Sequence, residues 1–413
     1  MKVLVCHNFY QQPGGEDQVF ADEVKLLRDH GHEVLRYTLH NDAIANGNGG
    51  VTGRLALMVD TLWNRKVHAE LHELVRRDRP AVVHFHNTFP LMSPAAYDAV
   101  RGAGAAVVQT LHNYRLSCPG AEFRRDGRVC EDCMGRSFPW PGVVHGCYRD
   151  SRTASAAVAA MLSVHRARGT FRRDVDVYIA LTEFARRKYV EGGLPAHRIV
   201  VKPNFVGEDH GPGEGRGDGR GPFGLFVGRL SPGKGVEVVL RAWADAGHGA
   251  RLKVLGDGSL APLVREAVAA NPAIEWLGRR PLAEVYRIMG DAAFLVMPST
   301  WYEAMPRTVV EAFSRGTPVI ASRIGALEEL VTPGRTGLHF NPNDPADLSA
   351  HLRWAFANSP ALAAMRPFAR SEYEEKYTAA DNYRQLCQIY AHALETRHPG
   401  TSGPHPAQTI SAT

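Results

Sequence analysis

KVLVCHNFYQQPGGEDQVFADEVKLLRDHGHEVLRYTL, residues 2–39, sets the architecture. Lys2 to His7 is a continuous apolar run, too unbroken for a half-exposed strand, and reads as a buried parallel strand. A loop follows at Gln11-Gln12-Pro13-Gly14-Gly15-Glu16-Asp17. Val19, Phe20, Val24, Leu26 and Leu27 then recur at helical spacing, and Gly31 stands where a helix C-terminal glycine belongs. Glu33 to Leu39 is the next strand. Strand, glycine turn, helix and strand open a doubly wound α/β sheet.

The pattern repeats along the chain. Strands are expected at Ala81–His86, Ala105–Leu111, Val175–Leu181 and Arg198–Lys202, with helices at about Ser93–Arg101 and Glu183–Glu191. The stretch GEDHGPGEGRGDGRGP, residues 207–222, has no apolar period and reads as a flexible linker or exposed loop. A second series follows. Strands are expected at Gly224–Val227, Arg251–Leu255, Ile274–Leu277, Ala293–Met297 and Pro318–Ala321, with helices between them. Pro345 to Glu395 is helical, and the Pro/Ser/Thr-rich end from Arg397 is expected to be disordered. The division expected is 1–203, 204–376, a C-terminal helix 377–396 packing back on the first domain, and the tail 397–413. Two α/β domains joined by a short connection leave a cleft, a common place for a ligand.

Composition narrows the classes. With 413 residues the chain holds two to three domains, and 44% hydrophobic and 22% charged residues are ordinary for a soluble globular protein. No apolar run approaches the roughly 18 residues of a membrane span. The opening Met1-Lys2-Val3-Leu4-Val5-Cys6-His7 turns polar too soon for a signal peptide, so a cytoplasmic protein is expected, with contact to the inner membrane face left open. A net charge of +5 does not by itself argue for nucleic acid and suits a phosphorylated small molecule equally well.

Two motifs carry chemistry. TWYEAMPRTVVEA, residues 300–312, follows a strand and opens a helix, where α/β sheets bind ligands. Backbone N–H groups at Arg307 and Thr308 would face an anion, and Glu303 and Glu311 are placed for sugar and ribose hydroxyls. The bland reading is two unrelated surface glutamates. Val227-Gly228-Arg229-Leu230-Ser231-Pro232-Gly233-Lys234-Gly235 lies between a strand and a helix. Its glycines allow close backbone approach, and Arg229 and Lys234 would aim two cations at one diphosphate. It is neither a Walker A loop nor G-x-G-x-x-G.

Together these motifs resemble the retaining glycosyltransferases of family 4, which adopt the GT-B fold of two Rossmann-like domains facing each other across a cleft. The resemblance takes in Gly14-Gly15-Glu16, the Pro203-Asn204 step, G-R-x5-K-G at Gly228, Arg229, Lys234 and Gly235, the E-x7-E pair Glu303 and Glu311, and Gly316-Thr317-Pro318-Val319-Ile320-Ala321. It implies a nucleoside-diphosphate sugar donor, UDP favoured over GDP, and no catalytic metal or other cofactor. Arg229 and Lys234 would neutralise the leaving diphosphate. Glu311 would take the ribose hydroxyls, and Glu303 with the amides from Met305 to Thr308 would hold sugar and phosphates. Gly14 and Gly15 would let the first domain approach, and His112 matches the histidine near the transferred sugar. Fixed cations and amide dipoles stabilise the charge that builds on the leaving phosphate. The sequence departs from the usual E-G-F-G loop start: Pro306 removes one N–H and Arg307 adds a cation. The acceptor is a polysaccharide or lipid-linked sugar, or a natural-product scaffold.

Cys118, Cys130, Cys133 and Cys147 read C-x11-C-x2-C-x13-C. The central C-x2-C suits a zinc knuckle, so a structural zinc site is expected, against the alternative of reduced, unliganded thiols. His84 and His86 share a strand face, as cleft-lining or as satisfied buried groups. Residues 151–173 form a helix whose basic end would rest on anionic lipid or simply be solvated. Three other functions are set beside sugar transfer. They are a nucleotide-sugar epimerase, a pyridoxal phosphorylase with a Schiff base at Lys234, and a non-catalytic zinc- or RNA-binding protein. None of these explains the paired motifs of the second domain.

Overall fold

The computed structural model describes residues 1–12, 14–42, 51–246 and 250–398. The tail expected to be disordered therefore lies outside the described residues from 399 onward, while Arg397 ends a helix.

Two six-stranded parallel sheets form the frame. The first is built from β1 (Lys2–Phe9), β2 (Glu33–His40), β3 (Val82–Asn87), β4 (Ala106–Thr110), β7 (Val177–Ala180) and β8 (Ile199–Val201), in the order β2-β1-β3-β4-β7-β8. A two-residue hairpin, β5 (Arg124–Arg125) with β6 (Arg128–Val129), lies between β4 and β7 in sequence. The second sheet holds β9 (Gly224–Val227), β10 (Leu252–Leu255), β11 (Ile274–Gly278), β12 (Phe294–Met297), β13 (Val319–Ser322) and β14 (Gly337–Phe340). Its order, β11-β10-β9-β12-β13-β14, reverses direction between β9 and β12. The first sheet reverses between β1 and β3. Ligands of such sheets sit outside the strand C-termini at these switch points. The two Rossmann-like domains face a cleft there, the GT-B architecture.

The strands are buried on both faces because helices cover both. Val82 to Asn87, Ala106 to Thr110 and Phe294 to Met297 are buried at every position. The helix Gly15–Asp29 packs Phe20, Val24 and Leu27 against the first sheet, and Gly31, at φ +76°, turns the chain into β2. The last helix, Ala379–Arg397, also lies on the first sheet, with Leu386, Ile389, Tyr390 and Ala393 packed against Val3, Val5 and Val108.

Three local expectations are corrected. Of the two expectations for residues 207–222, the exposed loop holds and the free linker does not. Backbone N–H groups of Gly213, Gly215 and Gly217 donate to the carbonyls of Arg315, Gly290 and Asp291, and Asp218 binds Arg251 at 2.6 Å. A Cβ on Gly213 would lie 2.2 Å from Gly290 Cα. The glycines here serve close backbone approach rather than mobility. Secondly, β14 and the helices Val51–Leu62 and Arg65–Asp78 have no counterpart in the sequence reading. Thirdly, in the helix Arg152–Ala167, Arg166 donates to the Arg136 and Leu116 carbonyls. It pins the cysteine segment rather than facing lipid. Among the described residues no helix is long and apolar enough to cross a membrane.

Candidate active site

The loops after β9 and β12 meet at the second switch point. Gly235 makes this possible. It adopts φ +71°, and a Cβ there would lie 1.9 Å from Pro298 O. Gly233 lies flat against the Trp301 ring. This contact brings Lys234 Nζ to 2.7 Å from Glu303 Oε1. The same oxygen accepts from Ser299 Oγ and Trp301 Nε1, each at 2.8 Å. Burial alone would raise the Glu303 pKa, but the Lys234 ammonium outweighs it and holds the carboxyl below its ordinary value.

Arg229 is different. It is exposed, and its side chain makes no hydrogen bond or ion pair among the described residues. Its Nη2 lies 3.8 Å from where a Cβ of Gly14 would be, so it reaches across the cleft to the first domain. Beside it is a cavity of about 260 Å³ lined by Gln12, Gly228, Arg229, Asp257, Arg279 and Arg280. Three arginines and Asp257 thus line one cavity, and Arg280 Nε lies 3.8 Å from Glu284 Oε1. Arg279 and Arg280 escaped the sequence reading. The only signal was the Gly278-Arg279-Arg280 step directly after β11.

Arg307 and Glu311 are one helical turn apart on the helix Arg307–Ser314, and both are buried. Arg307 Nε donates to Glu311 Oε1 at 2.8 Å, and its Nη1 lies 2.7 Å from Asp22 Oδ2 of the first domain. Arg307 is thus neutralised by two carboxylates and joins the domains, rather than standing as a free cation. Burial raises the Glu311 pKa against the opposing pull of Arg307. The preceding loop is held by its carbonyls. Tyr114 Oη donates to Glu303 O at 3.3 Å, Thr182 Oγ1 to Ala304 O at 3.1 Å, and Asn204 Nδ2 to Met305 O at 3.3 Å. Thr308 follows in the first helical turn, whose N-terminus no side chain caps.

Gly14 caps the helix Gly15–Asp29, and its N–H donates to Asp17 Oδ2 at 2.7 Å. The other Asp17 oxygen lies 2.7 Å from His7 Nε2. A Cβ on Gly15 would meet nothing within 4 Å, so its place is open. Glu16, unremarked beyond the glycine loop, has its pKa pushed up to about 7 by burial, with Tyr10 and Asn113 beside it. His112 follows β4 and is half-buried, with Nε2 3.0 Å from His86 Nδ1.

The four cysteines are all free and lie in one neighbourhood. Gly142 N–H donates to Cys133 Sγ at 3.2 Å, and a Cβ on Gly120 would touch both Cys147 and Cys118 Sγ. Burial, and then Cys118, pushes the Cys133 thiol up to about 12. No three of the four sulfurs lie within 4.8 Å of one another. Glu23, His84 and His86 do bring three ligand atoms that close. They do not fit a metal, however. Lys202 Nζ lies 2.6 Å from Glu23 Oε1, and both nitrogens of His84 are engaged, by Tyr390 Oη at 2.9 Å and Thr110 Oγ1 at 2.8 Å.

Two opposed doubly wound domains, with an arginine-lined cavity outside the ends of β9, β10 and β11, are the frame that known proteins share. Residues 14–204 match the family described as glycosyl transferase 4-like domain, and residues 214–372 match glycosyl transferases group 1. The chain carries both domains of the GT4-like glycosyltransferase family. It is 39% identical over 170 residues to an uncharacterized glycosyltransferase of Methanocaldococcus jannaschii, covering 40% of this chain and 46% of that one. It is 30% identical over 249 residues to a D-inositol 3-phosphate glycosyltransferase of Streptomyces avermitilis, covering 52% of each. The chain spans about half the length of the curated relatives it matches. The fold is shared with Anabaena HepE solved with UDP, at TM-score 0.66 and 16% identity, over 95% of this chain and 100% of that one.

Proposed function

We propose that this protein is a retaining glycosyltransferase that moves a sugar from a nucleoside-diphosphate sugar, UDP favoured over GDP, to a hydroxyl-bearing acceptor. The observation that carries this is the free Arg229 guanidinium at a cavity shared with Arg279 and Arg280, with Lys234 in the adjoining loop. UDP is favoured because Anabaena HepE was solved with UDP and with UDP-glucose on the same fold. The acceptor is a polysaccharide or lipid-linked sugar, or a natural-product scaffold, bound on the first domain.

In this reading Arg229, Lys234 and the amides of the Met305–Thr308 turn stabilise the leaving diphosphate. Gly14, Gly15 and Gly228 leave room for it, and Arg279 and Arg280 extend the cationic wall. Glu303, ionised and fixed by three donors, accepts from donor-sugar hydroxyls. Glu311 has one oxygen on Arg307, so the ribose hydroxyls fall to the other. His112 faces the transferred sugar. The acceptor oxygen attacks the anomeric carbon on the face the phosphate leaves. The sugar–phosphate bond breaks with its electron pair on the phosphate, whose oxygen takes the acceptor proton. No enzymic nucleophile is required, and the cationic side chains supply the charge stabilisation.

The four cysteines Cys118, Cys130, Cys133 and Cys147 are proposed as a structural zinc site. The spacing and shared neighbourhood support it, with the sulfurs drawing together on the ion. The phosphorylase alternative loses ground because Lys234 Nζ is ion-paired with Glu303 and so poorly disposed to a Schiff base.

The test is incubation with UDP- and GDP-sugars and a panel of acceptors, reading nucleoside diphosphate release and the anomeric configuration of donor and product. Acceptor-dependent release with the configuration kept supports the proposal. Conversion of donor alone into an epimer would replace it with the epimerase reading.

A further inference from the structure

Behind His112 lies a buried chain of polar groups that the reaction as described does not use. Glu23, from the helix Gly15–Asp29, is 1% exposed. One of its oxygens is 2.6 Å from Lys202 Nζ, at the crossing between the domains. The other, Oε2, lies 3.3 Å from His86 Nε2 and 3.7 Å from His84 Nδ1, in ion-pair contact, and neither Oε2 nor His86 Nε2 makes a hydrogen bond. The far nitrogen of His86 is 3.0 Å from His112 Nε2, with the two rings stacked at 5.2 Å. His84, bound to Tyr390 and Thr110, packs at 4.5 Å against His86 and fixes its ring plane. His112 Nδ1 makes no hydrogen bond among the described residues and is not buried.

Hydrogen-bond logic assigns the protons along this chain. Burial alone would raise the Glu23 pKa, but Lys202 and then His86 hold it well below the ordinary range, so it is a carboxylate. A carboxylate only accepts, so the single hydrogen of a neutral His86 is favoured on Nε2, the nitrogen 3.3 Å from it. Burial, and then His86, holds the His112 pKa well below the ordinary histidine value, so His112 has one N–H. The facing pair His86 Nδ1 and His112 Nε2 needs one donor and one acceptor.

We propose that Glu23 and His86 are positioning residues that fix His112 as its Nε2–H tautomer, leaving Nδ1 bare toward the cleft. His86 Nδ1 accepts from His112 Nε2–H, and the His112 lone pair then accepts from a hydroxyl of the transferred sugar. The sense of this bond matters. The opposite tautomer would turn an N–H edge toward a sugar that gains positive charge in the transition state, whereas a lone pair opposes no such charge. This inference rests on the reading that His112 faces the sugar.

The experiment uses the full chain labelled with ¹⁵N-histidine. His112 signals are assigned by their loss in His112→Ala, and long-range ¹H–¹⁵N correlations read its tautomer directly. The expected wild-type pattern is Nε2–H with an unprotonated Nδ1. A hydrogen on His112 Nδ1 in the wild type would overturn the proposal without any variant. In His86→Leu the fixed tautomer should be lost, with kcat down tenfold or more and the donor KM within twofold. His86→Gln, which keeps one donor and one acceptor, should recover most of that loss. An unchanged His112 pattern in His86→Leu, or a changed pattern with unchanged kcat, also overturns it. Wild-type turnover in His112→Ala would instead sink the reading that His112 serves the sugar, and the wild-type spectrum separates the two failures.

Discussion

Replacing Lys234 by alanine removes a charge with two distinct duties, and the structure separates their sizes. Lys234 Nζ makes a charge-assisted hydrogen bond of 2.7 Å to Glu303 Oε1. Such bonds contribute roughly 1.5–3 kcal/mol. Here the lysine side chain is 26% exposed, Glu303 is 12% exposed, and Glu303 keeps Ser299 and Trp301 as donors. The lower end applies after screening, about 1–2 kcal/mol of stability. Turnover should fall by at least about tenfold, because about 1.4 kcal/mol or more of transition-state stabilisation leaves with the ammonium. The two effects part in the double variant. Lys234→Ala with Glu303→Gln removes both charges, so no carboxylate is left without its cation and stability should largely return. Turnover should not. The assay pairs urea denaturation with nucleoside diphosphate release at saturating donor. Turnover of folded Lys234→Ala within twofold of wild type, or recovery in the double variant, would refute the phosphate role.

Other expected outcomes follow from single contacts. Arg307→Met leaves Asp22 and Glu311 buried without their cation and should destabilise by roughly 3–5 kcal/mol in urea titrations, far more than Glu311→Gln. Gly235→Ala forces φ +71° on a residue with a Cβ 1.9 Å from Pro298 O, so its folded yield and melting temperature should drop sharply. Glu16, pushed up to about 7, is favoured in its protonated form by the fold. Its stabilising contribution is present below the ordinary glutamate pKa and is lost as pH rises toward about 7. Denaturation from pH 5 to 7 should show that decline in the wild type and a weaker one in Glu16→Gln. Purified protein should carry one zinc per chain by elemental analysis, and Cys130→Ser with Cys133→Ser should carry none. Metal-free wild type would leave the thiols as ordinary buried cysteines.

Sequence reading reached the sheets because both are buried on two faces. Runs such as Lys2 to His7 and Ala293 to Met297 advertise that burial directly. It missed β14, whose Gly337-Leu338-His339-Phe340 is short and interrupted by a histidine. Residues 207–222 misled because glycine richness signals mobility and close packing alike, and only the carbonyls of Gly290, Asp291 and Arg315 decide between them. In the site, Arg229, Lys234, Glu303 and Glu311 stood in spaced motifs. The carboxylates Asp22 and Glu23 did not. Asp22 is 285 residues from Arg307, and Glu23 is 179 from Lys202, so the first pair exists only once the two domains meet and the second only once the first domain has folded. The same holds for Arg307, which looked like a free cation until its two carboxylates were seen.

The central claim is that the cavity outside the ends of β9, β10 and β11 binds a nucleoside diphosphate. The most direct measurement is a thermal-shift panel with UDP, GDP, ADP and TDP, without sugar or acceptor, on wild type and Arg229→Ala. At about 100 times its dissociation constant a nucleotide should stabilise the protein by roughly 2.7 kcal/mol. One nucleotide, UDP by this account, should shift the wild type clearly and Arg229→Ala much less at the same concentration. No shift with any of the four, or an equal shift in both proteins, would contradict it.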